Sequence, residues 1–379
     1  MSVVPFRVDV PDAVLDDLRA RLRRTRFTTR SGSAPWQGGA DPDYLRDLVA
    51  YWADGFSWRA EEAALNELPH HRATVGGHAL HYLHLPANRP PEAPALPPLL
   101  LSHGWPSSFV EMLPLARRLA DPGPDGGTAF DVVVASLPGF LYSDLPKRRQ
   151  TRAAVAETLH RLMTDVLGYP RYGAFGGDIG GVATGWLGAL FPADVVGIHL
   201  IHPPFPAAFD TPPTAAEQAF LDADEAYDKT DGGYSAIMGT RPDTIAAALV
   251  DSPAGLAAWL VDKYRDWSDC GGDLESRFDR NTLLTILTLY WATGSIGSSF
   301  RQYFDWEHNT ARPRITVPTA VTLSTEPVMA NFPRTIAERA CTDLRFWHEP
   351  GRGGHFMPWE EPELLAADLT SFFTSLRQP

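Results

Sequence analysis

The sequence predicts an α/β fold: a mostly parallel sheet covered by helices on both faces and interrupted late in the chain by a helical insertion. Three observations carry this expectation. Leu99-Leu100-Leu101-Ser102 and Val132-Val133-Val134-Ala135 are short, continuous apolar runs bounded by turn residues, the pattern of strands buried on both faces. Helical stretches alternate with them; Ala154 to Leu167 sets Val155, Leu159, Leu162, Met163 and Val166 along one face. From residue 203 to about 305 no comparable strand occurs and the spacing is helical, before Ile315 to Leu323 and Leu344 to His348 resume the strand pattern.

In chain order, residues 10–70 read as helical and polar. Pro11 to Leu18 opens a helix with acidic residues in its first turn, a Gly-, Ser- and Pro-rich loop spans Thr28 to Pro42, and Tyr44 to Trp52 resumes helical spacing. His78 to Leu85 alternates like a strand, and the proline cluster from Pro86 to Pro98 marks a boundary. Val195 to Ile201 is a further buried strand, and Glu363 to Leu376 is a closing amphipathic helix. The expected organisation is an N-terminal extension over 1–95, a first part of the core over 96–205, a helical cap over 206–305 and a second part of the core over 306–379. There is no internal repeat.

Composition narrows the function class. The chain has 379 residues, 44% of them hydrophobic and 21% charged, enough for a sizeable core. Its 33 basic and 46 acidic residues give a net charge of −13, which argues against nucleic acid or an anionic membrane as main partner. Cys270 and Cys341 form no metal spacing and no disulfide framework, which suits a reducing compartment. Residues 1–7 lack a charged region followed by an apolar one, and no window reaches the length of a membrane span. A soluble, cytoplasmic protein is expected. No pattern encodes its oligomeric state, although a homodimer is compatible with it.

The chemistry is concentrated in Gly176-Gly177-Asp178-Ile179-Gly180-Gly181, between the apolar run Tyr172 to Phe175 and the helix-like Val182 to Leu187. Strand, tight turn and helix, with small residues around a projecting polar one, form the nucleophile elbow of the α/β-hydrolase fold. Aspartate at the elbow implies an ester formed on a carboxylate, so the electrophile is an alkylating carbon rather than an acyl group. A phosphate-binding turn does not fit, because the G-x-G-x-x-G spacing and a following lysine are both missing. An aspartate that merely caps the helix is the bland alternative.

A nucleophile of this kind needs a base, an acid to orient it and an oxyanion hole. His355, in the glycine loop Gly351 to Phe356 after the last strand, is the candidate base. Glu326 ends the strand beginning at Thr319 and is the candidate acid, with Glu349 in reserve. The loop Ser102 to Ser108 follows a core strand and offers the backbone N–H of Trp105; Ile179 N–H is the partner donor. His103 reads as architectural. Nucleophile, insertion, acid and histidine follow one another in the order of that fold.

These motifs together resemble the microsomal-type epoxide hydrolases over nearly the whole chain. Pro5-Phe6-Arg7-Val8, Leu15 to Arg19, Tyr51-Trp52, Phe56 to Arg59 and His78 to His81 are similar to that family's N-terminal domain. His103-Gly104-Trp105-Pro106, Gly176-Gly177-Asp178 and Gly353-Gly354-His355-Phe356 are similar to its core motifs. Gly233-Tyr234, Arg241 to Thr244, Asp251 to Leu256, Leu289 to Gly294 and Ser299 to Tyr303 are similar to its cap. The resemblance implies that Tyr234 and Tyr303 hydrogen-bond the epoxide oxygen. Phenols suit that task, because their unperturbed pKa of about 10 keeps them protonated donors at neutral pH.

Two departures stand out. Ile179 replaces the tryptophan that often follows the nucleophile, and Ser324-Thr325-Glu326-Pro327 lacks the aromatic-Pro pair that usually precedes the acid. The membrane anchor of mammalian members is not expected. The arginine-, alanine- and proline-rich composition also resembles the epoxide hydrolases of enediyne antibiotic pathways. The reaction implied is opening of an epoxide to a vicinal diol through an alkyl-aspartate ester, with neither metal nor organic cofactor. Trp105, Ile179, Trp291 and Phe300 are the expected pocket wall, with Trp259 and Trp267 further aromatic candidates for an apolar or aromatic substrate. Two other readings share the elbow. A haloalkane dehalogenase wants indole donors beside the nucleophile, of which Trp105 alone remains. A non-hydrolytic epoxide-binding protein would keep the pocket without turnover.

Overall fold

The continuous apolar runs become the buried centre of a nine-stranded sheet in the computed structural model, which describes residues 3–90, 95–123 and 127–376. Its strands are β1 (Val3–Pro5), β2 (His70–Val75), β3 (His78–Leu85), β4 (Leu99–Ser102), β5 (Val132–Ala135), β6 (Tyr172–Gly176), β7 (Val195–Leu200), β8 (Thr319–Thr322) and β9 (Leu344–His348). They lie in the order β1-β2-β3-β5-β4-β6-β7-β8-β9. Pairs from β1 to β5 are antiparallel and the remainder parallel. Every residue of β4, β5 and β6 is buried, as runs covered on both faces must be.

Three helices precede the β2–β3 hairpin: α1 (Asp12–Leu22), α2 (Pro42–Asp54) and α3 (Trp58–Leu65). The crossovers contain α4 (Leu113–Ala120), α5 (Arg152–Arg161) and α6 (Asp178–Leu190). Between β7 and β8 lie α7 (Ala215–Asp231), α8 (Gly233–Thr240), α9 (Pro242–Leu249), α10 (Pro253–Trp267), α11 (Arg280–Thr293), α12 (Ile296–Ser299) and α13 (Arg301–Phe304). The chain ends with α14 (Arg334–Ala340), α15 (Met357–Glu360) and α16 (Pro362–Ser375). This is the α/β-hydrolase fold, with its helical insertion. No single helix among the described residues is long and apolar enough to cross a membrane.

Three local expectations change in the structure. β2 begins at His70, where the helical reading stops, and β3, expected as a strand, pairs with β5, so the sheet runs across residue 95. Sheet pairing is a long-range property that local patterning does not reveal; residues 91–94 of the proline cluster lie outside the described residues. The helix expected to reach Leu167 stops at Arg161 and continues as a wider turn over Leu162–Val166. β8 is shorter than Ile315 to Leu323, because Ile315 makes only an isolated bridge to Cys341.

Strand order decides where a site can form. From β4 the chain moves outward to β5, then crosses back to β6 on the other side of β4. The carboxyl ends of β4 and β6 therefore flank a crevice, the usual place for a ligand in an open α/β sheet. The insertion covers it and is tied down by the N-terminal helices. Trp52 Nε1 donates to Thr288 Oγ1 at 3.0 Å in a buried contact, and Arg21 pairs with Asp251 at 2.6 Å.

α6 starts unusually close to β4. A Cβ on Gly180 would lie 2.1 Å from Ser102 O and 2.4 Å from His103 O, both backbone atoms that cannot swing aside. Glycine here costs the helix about 1 kcal/mol in propensity but permits the approach. Gly180→Ala is therefore expected to lower unfolding stability by about 1–3 kcal/mol, the usual range for overpacking, read from denaturant titration. An unchanged midpoint would mean that α6 is free to move off the strand.

Candidate active site

Each candidate side chain lies just beyond the carboxyl end of a parallel strand or on the insertion above. Asp178 follows β6 and adopts φ 51°, a left-handed conformation rare for a residue with a side chain. Two hydrogen bonds hold it there. Its N–H donates to His202 Nδ1 at 2.6 Å, and its Oδ1 accepts from the Trp105 N–H at 2.8 Å. Gly104 makes room, since a Cβ there would stand 2.3 Å from Asp178 Oδ1. Ile179 is buried directly after it, in the first turn of α6, where N–H groups lack carbonyl partners within the helix.

Glu326 follows β8 and His355 follows β9, and both are almost fully buried. His355 Nδ1 and Glu326 Oε2 lie 2.5 Å apart, and the His355 N–H donates to Trp267 O at 2.9 Å. Burial alone would lower the imidazole, but Glu326 outweighs it, with help from Asp178 and Glu111, and raises His355 to about 9. For Glu326, burial pushes upward, yet the imidazoles of His202 and His355 prevail and hold it well below the ordinary carboxylate range. Glu349, the reserve acid, is exposed and accepts from Trp347 Nε1, so it takes no part.

His202 is a member of this cluster that the sequence did not single out. Its Nδ1 must carry a lone pair, because a backbone N–H points at it. Its Nε2 lies 2.8 Å from Glu326 Oε1, close but not aligned for a hydrogen bond. One imidazole thus joins the backbone of the elbow to the acid. The available signal was its position just past the end of β7, the strand beside the elbow strand. His202, Glu326 and His355 place ligand-type atoms within 4.8 Å of one another, a grouping able to hold a divalent metal. Those atoms face one another, and His202 Nδ1 is already engaged by the elbow.

The insertion contributes Tyr234 from α8 and Tyr303 from α13, with ring centroids 6.1 Å apart at 74°. Burial pushes both phenols above their ordinary value, so each is a neutral donor. Asp178, Tyr234, Tyr303, Glu326 and His355 line one cavity of about 460 Å³, with Ile179 and Trp267 in its wall.

The rest of the expected wall lies elsewhere. Trp105 is fully buried and stacks on Tyr234 at 5.3 Å and 9°, one layer behind the cavity; Phe300 packs behind Trp105 at 6.3 Å. Trp291 faces the N-terminal helices, where the Arg21 guanidinium lies 5.6 Å from its ring. Trp259 is not among the lining residues. Which face of an insertion helix looks inward depends on how the helices pack, and clustered aromatics do not disclose it. His103 is architectural as expected: it is buried, receives the Leu137 N–H at Nε2, and burial lowers it to about 4.

Comparison with known proteins follows the same lines. Residues 3–112 match the family described as "Epoxide hydrolase N terminus", and residues 97–235 match "alpha/beta hydrolase fold". A Stigmatella aurantiaca protein, whose name marks it as an inferred epoxide hydrolase, is 38% identical over 99% of this chain and 86% of its own length. Epoxide hydrolase 1 of Sus scrofa is 30% identical over 100% of this chain and 90% of its own. The crystal structure of juvenile hormone epoxide hydrolase from Bombyx mori superposes with a TM-score of 0.89 at 27% identity, covering 99% of this chain and 95% of that one.

The buried acid–imidazole pair makes stability depend on pH. A carboxyl held below its ordinary 4.5 contributes stability above that pH and loses it as pH falls through the lowered value. An imidazole raised from 6.5 to about 9 contributes fully below 6.5 and loses it as pH rises through 9. The stability advantage of wild type over Glu326→Gln should thus peak between about pH 4.5 and 6.5 and shrink towards pH 9. Denaturant midpoints of both proteins across that range test it; a pH-independent difference would contradict the pairing.

Proposed function

The chain belongs to the epoxide hydrolase family, and from that premise we propose that it opens an apolar or aromatic epoxide to a vicinal diol through an alkyl ester on Asp178. One observation carries the reading. The carboxylate held at Trp105 N–H shares a cavity with two neutral phenols on one side and the His355–Glu326 pair on another.

In the first step an Asp178 oxygen attacks an epoxide carbon and the carbon–oxygen bond of the ring breaks. Tyr234 and Tyr303 hydrogen-bond the departing oxygen, and one of them supplies its proton. The product is an ester of Asp178 carrying the hydroxyl of the opened ring. Forming that ester removes the Asp178 negative charge, one of the charges that holds the proton on His355. The imidazole then passes its proton to the tyrosinate that ring opening leaves, and is a free base at the stage where one is needed.

In the second step His355 takes a proton from water as the hydroxide adds to the Asp178 carbonyl carbon, with Glu326 orienting the ring. The N–H groups of Trp105 and Ile179 stabilise the oxyanion. Collapse breaks the bond between the carbonyl carbon and the ester oxygen; the leaving alkoxide takes the proton from His355 and departs as the diol. Asp178 retains one solvent oxygen. The proton left on the regenerated Asp178 carboxyl passes back to His355, so carboxylate, phenols and imidazole all return to their starting states and water supplies both hydrogens of the net reaction. The composition and the resemblance to enediyne-pathway members support a natural-product epoxide as the physiological substrate.

Asp178→Ala is expected to form neither ester nor diol from a styrene-oxide-like aryl epoxide. His355→Gln should accumulate one epoxide equivalent on the Asp178 peptide, read by mass spectrometry. In ¹⁸O-water the first-turnover diol of wild type should be unlabelled and Asp178 labelled. Solvent label in that first diol would rule out the ester. Replacing both tyrosines by phenylalanine should slow ester formation by about 10²–10⁴-fold.

A further inference from the structure

A second charged group reaches the cavity, and the reaction above does not use it. Arg152 is the first residue of α5, is 4% exposed and lines the cavity together with Tyr303 and Asp178. Its side chain makes one hydrogen bond among the described residues, Nη1 to Gln302 Oε1 at 2.8 Å, and no ion pair. Arg152 Nε and Gln302 Nε2 are both buried donors without an acceptor. The exposed Trp306 ring covers the guanidinium, with its centroid 4.8 Å away. Arginine remains charged at neutral pH even where burial lowers it.

This arrangement is expensive for the folded protein alone. A buried cation without a carboxylate loses its hydration, two unpaired donors add a desolvation penalty, and the N-terminal end of a helix disfavours positive charge. An acceptor-rich anion entering the cavity beside Arg152 would offset the cost of the buried charge. A second arginine, Arg312, also lines the cavity and bonds carbonyl oxygens of Phe205 and Pro313 instead of a carboxylate. It faces Gly185, seven residues beyond Asp178 on α6, or roughly 10 Å along the helix. Arg312 therefore stands well away from the reacting carboxylate, whereas Arg152 is near enough to Tyr303 and Asp178 for both to favour its charge without pairing with it. The cavity is also lined by Asp224, Asp228 and Asp231; Asp231 is paired with Lys263, and burial beside Asp228 shifts Asp224 towards its neutral form.

We propose that Arg152, held by Gln302 beneath Trp306, forms a carboxylate subsite, and that the preferred substrate is an epoxide bearing a carboxylate on an arm extending past Tyr303. This rests on the epoxide reading of the cavity. Arg152 has the planar donor fork that carboxylates match, and Gln302, which does not itself line the cavity, holds that fork in place.

The test compares kcat/KM for 4-(oxiran-2-yl)benzoate and its methyl ester in wild type and Arg152→Gln. Wild type should favour the acid by about tenfold or more, the range for a charged hydrogen bond, chiefly through KM. In Arg152→Gln that ratio should fall to near one. Benzoate should competitively inhibit wild type and lose that effect in the variant. Equal use of acid and ester by wild type, with no benzoate inhibition, would overturn the subsite without any variant, should Arg152→Gln fail to fold. A variant that loses both substrates in equal proportion would also overturn it, because the arginine would then act on the tyrosine pair. If wild type turned over neither compound, the epoxide reading would fail separately, and benzoate binding by calorimetry to wild type and variant would still decide the subsite.

Discussion

The site depends on the close seating of α6 against the end of β4. Gly180 lets the helix backbone touch the carbonyls of Ser102 and His103, and Gly104 clears the space that the Asp178 carboxylate occupies. With those contacts in place, the turn at Asp178 has little choice of conformation. Its left-handed backbone is held from one side by His202 and its carboxylate from the other by the Trp105 N–H. Strain of this kind persists only where the surroundings over-determine it. Here they are two strands, a helix and a glycine loop.

Electrostatics then separates the roles of groups that crowd into one cavity. Glu326 and His355 stabilise each other as a charged pair, while burial keeps Tyr234 and Tyr303 neutral. A protonated imidazole has no free lone pair, and the Asp178 charge is one of those that hold its proton. The phenols come from an insertion that the core holds directly, through Gln150 N–H on Asp305, Tyr290 on Ser107 and Ser298 on Gly139. The N-terminal helices add contacts of their own, Trp52 on Thr288, Tyr51 on Asn281 and Arg21 on Asp251.

Much of the centre was legible because local chemistry demanded it. A strand–turn–helix with glycines around one aspartate has few other uses, and a histidine in a glycine loop after the last strand is conspicuous. Glu326 could be reached by its place at a strand end, and its contact with His355 agrees with that placement. The tyrosines were different: nothing local distinguishes Tyr234 or Tyr303 from the other tyrosines, and the family resemblance alone pointed to them. Trp291 and Phe300 were misjudged as cavity wall because aromatic character does not say which side of a helix faces inward. His202 was passed over because its partners are 24 and 124 residues away in the chain.

By itself, the sequence determined the fold class, the strand–turn–helix that carries Asp178 and the strand ends that precede Glu326 and His355. These follow from hydrophobic periodicity, turn chemistry and strand ends, which act over a few residues. The tertiary structure decided that β2 and β3 join the main sheet, that His202 links elbow to acid, and that Arg152 reaches the cavity without a carboxylate partner. Each of these is set by packing between segments far apart in the chain. A residue's neighbours there depend on how whole helices and strands fit together, and short-range patterning carries no record of that.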